Sequence, residues 1–122
     1  MDKLIIKATP KSLSVKFAPG ELNLSGNSIL SDPKIFFEPV LNWCKEYVDA
    51  PNEATTVNFK LEYVDTASVQ LLIDILAVLG KLDHQVHTLN INWYYEPDDP
   101  ELLELGEIMA GRLGLEFNFI QY

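Results

Sequence analysis

The apolar residues change period once in the middle of the chain, and that change limits the folds open to it. Val57, Phe59, Leu61 and Tyr63 alternate with Asn58, Lys60 and Glu62. A period of two puts all four apolar side chains on one face of a strand. Beyond Asp65-Thr66-Ala67-Ser68 the spacing becomes helical, with Val69, Leu72, Ile73, Leu76 and Leu79 in one row. A second row, Leu71, Ile75, Val78 and Leu82, leaves only Gln70, Asp74 and Lys81 to interrupt the apolar surface. A helix that is apolar nearly all round is buried on more than one side. One row is expected to face a sheet, and the other a neighbouring helix or a protein partner. The stretch from Asn58 to Leu82 therefore reads as a buried strand feeding directly into a buried helix.

The turn between the two is short and polar. Either Asp65 or Thr66 can cap the helix, because a side-chain oxygen there accepts a bond from an otherwise unpaired N–H of the first turn. A hydroxyl is thus placed at the positive end of a helix, close to the surface. Such a position suits a phosphate.

The flanking segments supply the partners. Leu4 to Thr9 reads as a strand ending at Pro10. Leu13, Val15 and Phe17 mark a second strand, and Leu22 and Leu24 a third that ends at Ser25-Gly26. The connections are too short for parallel crossovers, so these three form an antiparallel meander. After a polar loop, Asp32 and Pro33 offer a helix start. A helix is placed over about Ile35 to Val48, with Pro39 close to its true beginning. Val86 to Tyr95 is the next strand. Asp99 caps and Pro100 opens a last helix through Leu102, Leu105, Met109 and Leu113. Leu115, Phe117 and Phe119 form a final strand. The expected fold is α/β, a mixed sheet with helices packed on it, in the order β-β-β-α-β-α-β-α-β.

Composition narrows the function. The chain has 122 residues, 48% of them hydrophobic, which is enough for one domain with its own core. A net charge of -9 disfavours nucleic acid and anionic membranes as partners. No apolar run approaches a spanning helix, and the first residues lack a signal peptide's apolar core. The single Cys44, read as a buried small hydrophobe, fits a reducing cytoplasm. His84 and His87, beside Asp83, straddle a turn and are read as solvated rather than metal-binding. The acidic run around Glu96, Asp98, Asp99 and Glu101 lacks the glycine and ligand spacing of a calcium loop, and carboxylates at a helix start are favoured by the dipole. No catalytic constellation is visible and no cofactor is called for, so the chain is expected not to be an enzyme.

Three stretches resemble one family. Tyr63-Val64-Asp65-Thr66-Ala67-Ser68 with Leu71-Leu72-Ile73-Asp74-Ile75-Leu76 is similar to the signature of the SiaC family of bacterial regulatory phosphoproteins. Asn92-Trp93-Tyr94-Tyr95-Glu96-Pro97-Asp98-Asp99 resembles its second signature, and Leu24-Ser25-Gly26-Asn27-Ser28 with Pro33, Phe36-Phe37 and Pro39 its third. The resemblance implies a fold like that of the STAS domains of anti-sigma-factor antagonists. It implies that Thr66 is phosphorylated, with Ser68 the weaker candidate. Because a switch must lie in or beside the surface it controls, Asp65, Thr66, Ser68, Val69 and Gln70 are expected to meet the partner. Asp65 stands where the family has Asn, and Ala67 where it has Ser.

The implied function is a partner switch in the cytoplasm. A serine/threonine protein kinase of the anti-sigma type adds the phosphate and a PP2C-type phosphatase removes it. The unmodified form binds and activates a diguanylate cyclase, with cyclic di-GMP and biofilm formation as output. The alternative from the same resemblance is an anti-sigma-factor antagonist binding an anti-sigma kinase. A more distant one is a small acidic metal-dependent enzyme using the carboxylates near Asp98.

Overall fold

The computed structural model describes residues 1–82 and 86–122. Six strands, β1 (Leu4–Ile6), β2 (Ser14–Ala18), β3 (Glu21–Ser28), β4 (Ala54–Val64), β5 (Thr88–Tyr95) and β6 (Phe117–Gln121), form one sheet in sequential order. The first two pairings are antiparallel and the remaining three parallel. Three helices, α1 (Pro33–Tyr47), α2 (Thr66–Leu79) and α3 (Pro100–Leu113), connect the parallel strands. They cover one face of the sheet. Against them pack the alternate strand residues Val15, Phe17, Leu22, Leu24, Val57, Phe59, Ile91 and Trp93, all 1% exposed or less. The opposite face is polar and uncovered.

Helix α2 lies between the other two. Leu72, Leu76 and Leu79 of its first row are fully buried, and so is Ile75 of the second. Leu71 on its second row lines a groove with Phe37 and Leu41 of α1. Ile75 and Leu82 of the second row are buried within the chain, while Leu71 and Val78 are half-buried against the core.

Several expectations are corrected. β1 ends at Ile6, because Thr9 and Ser12 instead close a small turn through reciprocal backbone bonds. β5 begins at Thr88, with Val86 exposed ahead of it. Helix α1 begins at Pro33 and carries Pro39 in its interior. Asp32 makes no side-chain capping bond there. Pro39 sits on the exposed face, so its ring and missing N–H disturb no core contact. The pair Asp83 and His84 lies outside the described residues.

The most consequential differences involve β3 and β4. β3 continues past Gly26 to Ser28. Gly26 pairs with Leu61, but Asn27 pairs with Tyr63, which leaves Glu62 as an extra residue on β4. Gly26 takes φ +96°, a conformation that side-chain-bearing residues rarely adopt. One extra residue reverses the alternation of everything after it. Tyr63, expected on the buried face, is therefore 54% exposed, while Val64 packs on the core.

Trp93 anchors the β5 side. It is fully buried between Phe59 and Phe117, and its Nε1 donates to the Leu102 carbonyl at 3.0 Å. Helix α3 can approach this closely because residue 106 is glycine. A Cβ there would sit 2.6 Å from Trp93 Nε1. Substituting Gly106→Ala should therefore lower stability by about 1–3 kcal/mol, the usual cost of overpacking. Urea unfolding checks this, and an unchanged midpoint would mean that α3 is free to shift outward.

Candidate functional site

The turn at the end of β4 is built by Asp65. It has an extended backbone (φ -76°, ψ 165°) and is the N-cap of α2, which settles the choice between Asp65 and Thr66. Its Oδ1 accepts from the Ser68 N–H at 2.9 Å. Its Oδ2 accepts from the Leu30 N–H, also at 2.9 Å. Its own N–H donates to the Ser28 carbonyl. One residue thus ties the start of α2 to the loop that leaves β3.

A second link lies beneath the first. Ser28 and Ser68 are both fully buried, and the Ser28 hydroxyl donates to Ser68 Oγ at 2.7 Å. The Ser68 hydroxyl in turn hydrogen-bonds the Asp65 carboxylate. The relay therefore runs from Ser28 through Ser68 to Asp65. Partial burial alone would raise the Asp65 carboxyl, but hydrogen bonds from the Ser68 hydroxyl and from the N–H groups of Ser68 and Leu30 outweigh it and hold the group below its usual range.

These contacts sort the expected site residues. Thr66, at the first helical position, is exposed, as are Ala67 and Gln70. Gln70 Nε2 donates to Asp74 Oδ1 on the same surface. Asp65 and Val69 are half-buried. Ser68 is not at the surface at all. Its hydroxyl is bonded inside the turn, which counts against it as a phosphate acceptor and as a partner contact. The expected acidic cap of α3 is present: Asp99 Oδ1 accepts from the Leu102 N–H at 3.1 Å. Among the described residues no group of three His, Cys, Asp or Glu is placed to hold a metal. Cys44 is buried and its thiol is pushed up to about 12 by that burial.

The sequence pattern misses four members of the site. Ser28 and Leu30 reach it only because β3 runs two residues further than its apolar pattern indicates. Tyr63 reaches the surface beside Thr66 through the bulge at Glu62, and Ile29, 44% exposed, lies on the loop that Asp65 holds. Gly26-Asn27 was the available signal, since an isolated glycine in a strand often marks a bulge. A cleft of about 200 Å³ opens next to Tyr63, between the end of β4 and the start of α3, with Glu62, Asp99 and Glu101 at its edge and Leu102 and Leu105 within.

The chain matches the model of the SiaC family regulatory phosphoproteins over residues 6–122, and it belongs to that family. A curated relative, an uncharacterized protein of Pseudomonas aeruginosa (strain UCBPP-PA14), is 22% identical over 109 residues, spanning 88% of this chain and 86% of the relative. Apo-SiaC of Pseudomonas aeruginosa is similar in structure, with a TM-score of 0.85 at 22% identity over 99% of this chain and 98% of that one. A chain in the crystal structure of the diguanylate cyclase SiaD with its activator SiaC, from the same organism, matches at a TM-score of 0.89 and 20% identity, over 98% of this chain and 99% of that one. At such identities these likenesses establish a common fold. No helix among the described residues is long and apolar enough to cross a membrane.

The doubly bonded carboxylate yields a prediction about acid and mutation. Asp65→Ala removes the cap and leaves the Leu30 N–H unpaired, at a cost of about 1–2 kcal/mol. Because the folded Asp65 carboxyl is held low, its contribution is complete above the ordinary carboxylate value of about 3.9 and is lost as pH falls through the lower folded value. Asp65→Asn should therefore lose less stability than wild type over that acidic window. Equal losses, measured by chemical denaturation from pH 6 downward, would mean that the carboxylate does not hold the turn.

Proposed function

We propose that this chain is a signalling phosphoprotein with no catalytic activity of its own, regulated at Thr66, whose unmodified form binds and activates a diguanylate cyclase in the cytoplasm. Family membership supports the regulatory role, and the SiaD–SiaC complex supports the choice of partner. The observation that carries the assignment of the residue is the contrast within one turn. Thr66 is exposed at the first position of α2, whereas the neighbouring hydroxyls of Ser28 and Ser68 are buried and mutually bonded. A kinase would find one hydroxyl there, on a backbone already fixed by Asp65.

The chemistry of the switch follows from charge. A phosphate on Thr66 brings roughly two negative charges at neutral pH. It would lie at the positive end of α2, which favours it, and beside the Asp65 carboxylate, which opposes it at on the order of 1 kcal/mol. A cyclase surface packed over Tyr63, Thr66, Val69 and Gln70 would have to bury that charge, and the complex would open. A kinase of the anti-sigma type and a PP2C-type phosphatase would set the modified fraction, and cyclic di-GMP and biofilm formation would follow the free form.

Two binding measurements test this reading. Thr66→Glu should weaken binding to the cognate cyclase at least tenfold, and Thr66→Ala should leave binding intact while abolishing kinase-dependent phosphate incorporation. Phosphate mapped only to another residue, or full affinity for Thr66→Glu, would refute the assignment. Gln70→Arg places a bulky cation on the same exposed surface. It should weaken the complex with an unchanged melting temperature, and an unchanged affinity would move the interface away from the start of α2.

A further inference from the structure

The uncovered face of the sheet carries a single transverse row that crosses all six strands. The register aligns Ile5, Lys16, Asn23, Asn58, Asn92 and Asn118, one from each. The four asparagines bond in sequence. Asn118 Nδ2 donates to Asn92 Oδ1 at 3.1 Å, Asn92 Nδ2 to Asn58 Oδ1 at 2.9 Å, and Asn58 Nδ2 to Asn23 Oδ1 at 2.9 Å. Every amide points the same way, so the ladder has a donor end and an acceptor end. At the donor end the Asn23 amide nitrogen has no hydrogen-bond partner among the described residues, and the next residue in the row is Lys16.

A concavity of about 410 Å³ opens at that end, within the roughly 300–1,000 Å³ range of small-molecule sites. Ser14, Lys16, Asn23, Ser25, Lys60 and Tyr94 line it. No carboxylate is among its lining residues, in a chain with 18 acidic residues and nine basic ones. Neither lysine forms an ion pair among the described residues. Lys60 instead lies over the Tyr122 ring at 4.6 Å and the Tyr94 ring at 5.8 Å. One carboxylate, Glu21, lies just outside the concavity, in a smaller hollow shared with Lys3, Lys16 and Asn23. The Tyr122 hydroxyl, on the other side of Lys60, is raised by burial and by the carboxylates Glu96, Glu62 and Asp99 near it.

We propose that this concavity binds a phosphorylated small molecule, with its phosphate between Lys16, Lys60 and the Asn23 amide and its organic part against Tyr94. Two ammonium groups, an amide donor and two serine hydroxyls match the several acceptor oxygens of a phosphate. The surrounding acidic surface would repel an extended polyanion but not a compact one that enters where the local charge is positive. The site lies on the opposite face from α2 and is independent of the Thr66 assignment.

The test is a titration of the isotope-labelled chain, followed by amide chemical shifts at constant ionic strength. The probes are inorganic phosphate, a nucleoside monophosphate and a sugar phosphate, with chloride as the control. We expect saturable shifts at Lys16, Asn23, Ser25, Lys60 and the Asn23 side-chain amide with at least one probe. We also expect at least tenfold weaker binding in Lys16→Glu/Lys60→Glu, with the melting temperature of that variant confirming its fold. Saturation by inorganic phosphate alone would assign the site to the phosphate group, and tighter binding of one ester would add recognition of its organic part. Absence of saturable shifts with all three probes would overturn the proposal. So would equal binding by the double variant, or shifts confined to the start of α2.

Discussion

The Asp65 carboxylate is the contact on which the candidate site depends. Its two oxygens take two backbone N–H groups from different parts of the chain, Ser68 on α2 and Leu30 on the loop before α1. Either bond alone would be an ordinary cap or an ordinary loop anchor. Together they fix the start of the central helix relative to the end of β3, and they do so next to the one exposed hydroxyl of the turn. The buried Ser28–Ser68 pair repeats the link one layer deeper. A regulatory hydroxyl gains from such rigidity, because a charge added to a fixed surface has a definite effect on what can pack there.

The sheet beneath has two chemically different faces, and the connections explain why. Parallel pairings from β3 to β6 each need a crossover helix, and successive crossovers that step across the sheet in one direction leave their helices on one side. That side holds Trp93, Phe59 and the buried residues of α2. The other side keeps only what the strands themselves provide, which here is a ladder of amides and a few lysines. Backbone pairing alone sets the spacing of that ladder.

How much of this was legible in the sequence depends on the range of the interaction. The strand-to-helix switch, the cap at Asp65 and the Asp99-Pro100 start of α3 are local, and the residue types and spacing carry them. Tyr63 was misplaced because the alternation rule assumes an unbroken ladder, and the extra residue at Glu62 breaks it. Ser28 and Leu30 meet Asp65 across 35 or more positions, and the apolar pattern of β3 ends before them. Pro39 reads as a helix start because an interior proline costs a hydrogen bond, yet a solvent-facing turn tolerates that loss. The asparagines were visible as strand residues, but their common row depends on the register of four strands at once.

Hydrogen exchange of the chain alone and in complex with its cyclase tests the central claim most directly. A regulatory surface built on the Asp65 turn predicts that new protection on binding falls on residues 28–30 and 63–70, and that Thr66 phosphorylation removes it. Protection confined to other segments, such as α3 or the uncovered face of the sheet, with the Thr66 turn exchanging as in the free chain, would contradict the account.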